Sequence, residues 1–120
     1  MYKLKLQHHF CGAHQLTHAY SKECNDNLHG HNWKVFVEIE KRELDNGMVI
    51  DFKKLKEIID KLDHKNLNTI LDFEPTAENI AHYLHDQIKK EVKDGYVKIT
   101  LWESEDASIT YYINEYDIDL

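Results

Sequence analysis

The sequence predicts an α+β fold: a four-stranded antiparallel sheet carrying two helices on one face. Hydrophobic and polar residues alternate in four segments, two in the first third of the chain and two in the last quarter. Between them, apolar residues recur at helical spacing in two further segments. Strands grouped on either side of consecutive helices suit an antiparallel sheet with helices on one face. At 120 residues, 42% hydrophobic and 31% charged, the chain is expected to form one globular domain spanning 1–120.

The elements follow in order. Tyr2, Leu4, Leu6, His8 and Phe10 share one parity against Lys3, Lys5 and Gln7, which reads as a strand with one buried face. Residues 15–28 are polar and irregular, a long connection of the kind that often carries function. From Trp33 the alternation resumes, with Trp33, Val35, Val37 and Ile39 facing in. Leu44-Asp45-Asn46-Gly47 is a turn. Asp51 reads as an N-cap for a helix with Phe52, Leu55, Ile58, Ile59 and Leu62 on its apolar face. The run Asp63 to Asn68 ends that helix and opens a loop. Pro75 and Thr76 start a second helix, with Thr76 as N-cap and Glu78 favourable in the first turn. Its stripe is Ala77, Ile80, Ala81, Leu84, Ile88 and Val92, which leaves His82 and His85 for the solvent face. Asp94-Gly95 closes it. Two more alternating strands, 96–103 and 107–114, join around Glu105-Asp106. Such a sheet has two edges, which invite pairing with other subunits.

Composition narrows the function. Fifteen basic against 22 acidic residues give a net charge of −7, which lacks the basic footprint of a nucleic-acid binder. An anionic substrate stays compatible, because a local pocket can oppose the global charge. Two cysteines, Cys11 and Cys24, make no disulfide framework and point to free thiols in a reducing compartment. No apolar run reaches membrane-span length, and the first residues lack the apolar core of a signal peptide. The expectation is a cytoplasmic enzyme or binding module with no membrane partner.

Nine histidines are the anomaly. His29 and His31 are two apart and share the parity of Trp33 and Val35, so a strand extended backward puts both imidazoles on the buried face. His14 shares the parity of Leu4, Leu6 and Phe10. If the two strands pair, three imidazoles converge at one end of the sheet; in another register, His8 or His9 would take the place of His14. Three histidines with no fourth protein ligand match an open catalytic zinc site. Cys24 as a fourth ligand would instead make a closed structural site. Imidazole also suits copper and nickel, and zinc is favoured by usage alone.

Other groups surround this cluster. Cys24 lies in the loop before the second strand, where a bound dication would lower its thiol pKa without ligation. Cys11 has the opposite parity to His14 and reads as a small strand residue. Asp63 beside His64 can orient and activate that imidazole as an acid or base; the competing reading is a helix-end histidine with Asp63 in solvent. Glu103 follows Val97, Ile99 and Leu101 at the same parity, so its carboxylate ends an apolar face and needs a partner or ligand unless it reaches solvent. Thr76, at a helix N-terminus, could bind a polar ligand through its hydroxyl and nearby N–H groups.

Taken in order, FCGAH, C-x4-HGH, GMVIDF, LDHKNLN, PTAENIA and WES resemble the 6-pyruvoyl-tetrahydropterin and 6-carboxytetrahydropterin synthase family over nearly the whole chain. The resemblance implies a tunnelling fold, whose trimers close a barrel and stack as homohexamers with active sites at subunit interfaces. It implies His14, His29 and His31 as zinc ligands, Cys24 as catalytic thiol and Asp63 with His64 as relay. It implies that Glu103 anchors the pterin ring and that Thr76 and Glu78 lie near the pterin pocket. The implied reaction converts 7,8-dihydroneopterin triphosphate to 6-carboxy-5,6,7,8-tetrahydropterin, with loss of acetaldehyde and triphosphate, toward queuosine and related deazapurines. The alternative product is 6-pyruvoyl-tetrahydropterin, formed without carbon–carbon cleavage. A 6-hydroxymethyl product would mark a third, aldolase-like activity. Gly12 and Ser104 stand where the family more often has alanine and threonine, and the four residues between Cys24 and His29 form an interval that varies among subfamilies. Two other classes compete: a non-catalytic zinc-binding assembly module, and a zinc hydrolase with Asp63–His64 as base.

Overall fold

A computed structural model of the chain describes residues 1–17, 22 and 27–114. Cys24 and His18 lie outside the described residues. Two long strands, β1 (Tyr2–His14) and β2 (His29–Lys41), pair antiparallel along their whole length, from Tyr2 opposite Lys41 to His14 opposite His29. Directly opposed residues share a face, so Leu4 meets Ile39, Phe10 meets Trp33, and Gly12 meets His31 on one side. Phe10 and Trp33 stack with parallel rings 5.8 Å apart.

After β2, Asp45 and Met48 exchange both backbone hydrogen bonds, at 2.8 and 3.0 Å, around Asn46 and Gly47. Both central residues have positive φ, 52° and 77°, the two-residue turn for which Asn-Gly is preferred. Helix α1 (Phe52–Asp60) begins where the Asp51 carboxylate accepts from the Lys53 N–H at 2.9 Å. Strand β3 (Lys65–Asn66) then runs parallel to β1 at Gly12 and Ala13, and α2 (Leu67–Ile70) follows directly. Helix α3 (Ala77–Glu91) starts at Thr76, whose hydroxyl accepts from the Asn79 N–H at 3.1 Å. Strands β4 (Tyr96–Trp102) and β5 (Ser108–Tyr112) complete a sheet of order β3-β1-β2-β4-β5.

The core lies between one sheet face and the helices. Leu55, Ile59, Ile80, Leu84 and Ile88 from α1 and α3 are buried with Val35, Val37, Ile39, Ile99 and Leu101 from the sheet. At about 25 cal/mol per Å² of apolar area, this burial is the main favourable contribution to folding. The predicted strand, strand, helix, helix, strand, strand framework is present. Two pieces are added: the segment read as a loop after α1 forms β3 and α2, so the sheet has five strands and is mixed. A two-residue strand has no periodicity to read and exists because β1 offers it a partner; the His64 N–H donates to the Cys11 carbonyl at 2.6 Å just before it.

One expected exposure is corrected. His85 is 2% exposed, not on the solvent face. It sits four residues after Ala81 and three before Ile88, within the apolar stripe, and the Tyr111 ring of β5 covers it at 4.9 Å. His82 is half exposed and stacks on the same ring at 4.3 Å. Asp86 accepts from His85 at 2.9 Å and pairs with His82 at 3.2 Å.

Gly95 marks the closest approach of α3's end to the sheet. A Cβ there would lie 2.7 Å from Val92 Cγ1 and 3.1 Å from Ile39 Cγ2. Gly95→Ala is therefore expected to destabilise the chain by about 1–3 kcal/mol, the usual cost of overpacking. An unchanged midpoint in urea denaturation contradicts this packing.

Candidate metal centre and surrounding groups

The β1–β2 register brings three imidazoles together. His14 and His29 are opposed at the last pair, and His31 lies opposite Gly12, where Leu67 packs close against the backbone. The three rings stand 4.6 to 4.9 Å apart, centre to centre. One nitrogen from each falls within 4.8 Å of the others, so the group can hold a metal ion. His8 is turned elsewhere, bound to Asp60 at 2.7 Å, and His9 opposes Lys34 on the other face. Trp33 floors the cluster, edge-on to His14 at 5.2 Å and His31 at 5.3 Å, and donates from Nε1 to the Gly12 carbonyl at 3.1 Å.

Ring tautomers follow from the acceptors. His14 Nδ1 lies 2.8 Å from the Pro75 carbonyl and His29 Nδ1 lies 3.0 Å from the Asn27 carbonyl. A carbonyl only accepts, so each Nδ1 carries its proton and each Nε2 offers a lone pair. His14 Nε2 and His31 Nε2 are buried with no hydrogen-bond partner. Unpaired buried nitrogens are costly and rare, and a bound cation removes that cost. Metal-bound histidine usually donates its other ring N–H to such a carbonyl. The donor set, three neutral nitrogens, thus fits a metal of the zinc, copper or nickel type.

Glu103 follows directly on β4. Its Oε1 lies 3.3 Å from His31 Nε2, within ion-pair reach but not aligned for a hydrogen bond. Its side chain is 35% exposed, a carboxylate at the rim of the imidazole cluster. Burial pulls the His31 pKa below its ordinary value; Glu103 opposes this, and repulsion from His14 and His29 adds to it. A lowered pKa keeps the ring neutral, the form a metal requires.

Asp63 and His64 are joined, Oδ2 to Nδ1, at 2.9 Å. They are fastened to the backbone of Cys11: Asp63 Oδ1 accepts from the Cys11 N–H at 2.8 Å, and His64 N–H donates back to the Cys11 carbonyl. His64 has a φ of 57°, and its side chain is 80% exposed. The Cys11 side chain lies opposite Asn32, on the sheet face away from the three imidazoles, and its thiol donates to Asn32 Oδ1 at 3.0 Å. His64, Asn66, Cys11 and Asn32 line one depression.

Of the residues singled out in the sequence, His14, His29, His31 and Glu103 are brought together. Thr76 and Glu78 open α3 immediately after Pro75, which holds His14. Asp63 and His64 are anchored to a residue whose side chain takes the opposite face. The Pro75 carbonyl had no signal in the sequence, because any residue supplies one.

An antiparallel strand pair that ends in three imidazoles on a helix-covered face defines a metal-competent α+β protein. The chain belongs to the 6-pyruvoyl tetrahydropterin synthase family, whose model matches residues 3–114. It is 40% identical over 100 residues to the dihydroneopterin monophosphate aldolase of Pyrococcus furiosus, covering 78% of this chain and 85% of that one. It is 43% identical over 76 residues to an Archaeoglobus fulgidus protein provisionally named a 6-carboxy-5,6,7,8-tetrahydropterin synthase, covering 60% and 63%. The 6-pyruvoyl tetrahydropterin synthase of Caenorhabditis elegans superposes with a TM-score of 0.72 at 29% identity, covering 94% of this chain and 96% of that one. The tunnelling fold expected from the motifs is thus the fold found.

The Cys11 N–H holds the Asp63 carboxyl below its ordinary pKa; partial burial works against this, and His64 adds to the lowering. A depressed carboxyl stabilises the fold above its unfolded pKa and loses that contribution as pH falls through the folded one. Asp63→Asn should therefore lower the unfolding midpoint at neutral pH. The gap between variant and native chain should narrow as pH drops below the ordinary aspartate range. A gap independent of pH in denaturant titrations at several pH values would count against this anchoring.

Proposed function

We propose that this chain is a zinc-dependent lyase acting on the C6 side chain of a 7,8-dihydroneopterin phosphate. The observation that carries the reading is the set of three convergent imidazoles, two of them with buried Nε2 atoms that make no hydrogen bond, in a chain of the pterin synthase family. His14, His29 and His31 hold the zinc, with no fourth protein ligand assigned. Zinc supplies Lewis acidity toward the side-chain hydroxyls.

The remaining work falls to this chain's own groups. Glu103 accepts hydrogen bonds from the amino-pyrimidine edge of the pterin and so fixes its orientation beside the cluster. Thr76 and Glu78 line the approach at the start of α3. His64 Nε2 exchanges a proton with the substrate side chain, since its Nδ1 is committed to Asp63. Cys24 moves a proton on the other face of the side chain. Because Asp63 and His64 are fastened to Cys11, with its side chain on the face opposite the imidazoles, the relay is best used by a site completed across a subunit boundary. Most of β1 has no partner on its outer side among the described residues, and β5 is the other edge. These edges support a barrel-forming homohexamer, a dimer of trimers, built from a single domain over 1–120. No helix among the described residues is long and apolar enough to cross a membrane. The exposed free thiol of Cys11 suits a reducing cytoplasm.

The leading reaction converts 7,8-dihydroneopterin triphosphate and water to 6-carboxy-5,6,7,8-tetrahydropterin, acetaldehyde and triphosphate, within deazapurine synthesis. A second reading is favoured by the 40% identity to a dihydroneopterin monophosphate aldolase. There the monophosphate is cleaved to a 6-hydroxymethyl pterin and glycolaldehyde phosphate. Both reactions break the side chain between its first and second carbons.

Each phosphate is to be incubated with the purified chain and the products identified by mass spectrometry. Carboxy-pterin with acetaldehyde supports the first reading, and 6-hydroxymethyl-pterin from the monophosphate supports the second. Pyruvoyl-pterin from the triphosphate replaces both with elimination lacking carbon–carbon cleavage. The purified chain should bind about one zinc per subunit. Cys24→Ala or His64→Ala should lower kcat by about 100- to 10,000-fold, the usual contribution of a positioned acid or base. Full activity in either variant, or after metal stripping, would sink the mechanism, whereas a native chain that turns over neither phosphate would favour a non-catalytic module.

A further inference from the structure

His14 is fully buried, and the Pro75 carbonyl holds its Nδ1. The carbonyl is itself held. Glu74, the preceding residue, takes two bonds from Thr17 on a single carboxylate oxygen: from the backbone N–H at 2.5 Å and from the hydroxyl at 2.7 Å. The Glu74 carbonyl accepts from the Asn79 side chain and from the Thr76 N–H, both at 2.9 Å. The segments 14–17 and 74–75 are therefore cross-linked twice, by His14 to Pro75 and by Thr17 to Glu74. Asn68 adds a third fastening on the same segment, accepting from the Gln15 N–H at 2.7 Å and donating to the Gln15 carbonyl at 2.8 Å.

We infer that Glu74 is a positioning residue for His14, setting through the Pro75 carbonyl the tautomer and angle at which His14 Nε2 meets a metal ion. The inference rests on the metal-centre reading given above. A carboxylate accepting two donors makes short, charge-assisted bonds, stronger than neutral ones. With both tethers in place, the Pro75 carbonyl cannot shift away from β1 without breaking the Thr17 bonds. Without them, His14 loses a fixed acceptor and its Nδ1–H tautomer is no longer imposed. Groups that orient a ligating imidazole in this way change metal affinity by about 10- to 100-fold when removed. Nothing in the sequence marks Glu74 for this role, since it lies sixty residues from His14 and outside the helix it precedes.

The test uses Co²⁺ as the probe, with the full-length chain. Affinity is read by competition with a chromogenic chelator, geometry by the visible absorption of the bound ion, and fold integrity by the melting temperature of the metal-free protein. Glu74→Ala should bind Co²⁺ about 10- to 100-fold more weakly, at unchanged stoichiometry and with a shifted absorption band. Glu74→Gln, which keeps an acceptor oxygen, should recover most of the affinity and the native band. A merely structural role predicts a lower metal-free melting temperature with an unaltered cobalt spectrum, and that result overturns the inference. Should Glu74→Ala fail to fold, Thr17→Val removes one of the two bonds from the other side and should shift the band in the same direction; an unshifted band there also overturns it. The two failures separate. A native chain that binds no Co²⁺ refutes the metal centre itself, whereas native binding with an unaffected Glu74→Ala refutes only the role of Glu74.

Discussion

The register of β1 on β2 is the constraint on which the rest of the molecule depends. Thirteen residues on each strand are paired without a bulge, from Tyr2 opposite Lys41 to His14 opposite His29. Side chains on a strand alternate faces, so a slip of one residue would turn Phe10 and His14 outward together and bring Cys11 and His9 in. The core and the metal centre are thus one decision. Leu4, Phe10, Trp33, Val35, Val37 and Ile39 are buried on the same face as His14, and their burial holds the imidazoles in place. A polar cluster placed at the end of an apolar face takes its geometry from the packing behind it.

That placement has an electrostatic consequence. Trp33 lies edge-on beneath His14 and His31, and neighbouring rings crowd each imidazole. Poor solvation, with repulsion from His14 and His29, favours the neutral form of His31, while Glu103 pulls it the other way. Neutral nitrogens with no protein partner are an unfavourable arrangement in an isolated fold. It becomes favourable when a cation is bound, and this ties the stability of the strand ends to the metal.

The Asp63–His64 pair obeys a different logic. It does not lie on a regular element: His64 adopts a left-handed backbone conformation directly after α1, and the pair is tied down by backbone groups of Cys11. The same strand residue therefore separates two sets of groups. On one side of β1 are the imidazoles, and fastened at its edge is an exposed histidine oriented by a carboxylate. Relatives of this chain with related folds are named for several different pterin conversions. A scaffold that carries the metal-competent imidazoles on a rigid strand pair and the Asp63–His64 pair on a connecting segment leaves room for such differences.

Much of this was legible in the sequence because it is local. Period-two alternation announced β1, β2, β4 and β5; Asp51 and Thr76 announced the two long helices through capping bonds that reach only two or three residues; Asn46-Gly47 announced its turn through the positive φ both residues tolerate. The spacing of His29 and His31 was equally readable, since two residues on one strand share a face whatever their partner. The sequence by itself thus determined the four long strands, the two long helices and two of the three imidazoles. Only the tertiary structure decided that His14, not His8 or His9, completes the set, that His8 goes to Asp60, that His85 is covered by Tyr111, and that β3 exists at all. It also decided that Pro75 orients His14 and that Asp63 and His64 are bound to Cys11. Each of these is a contact between residues far apart in the chain, whose formation depends on strand register and helix docking, and no pattern within a few neighbouring residues encodes it.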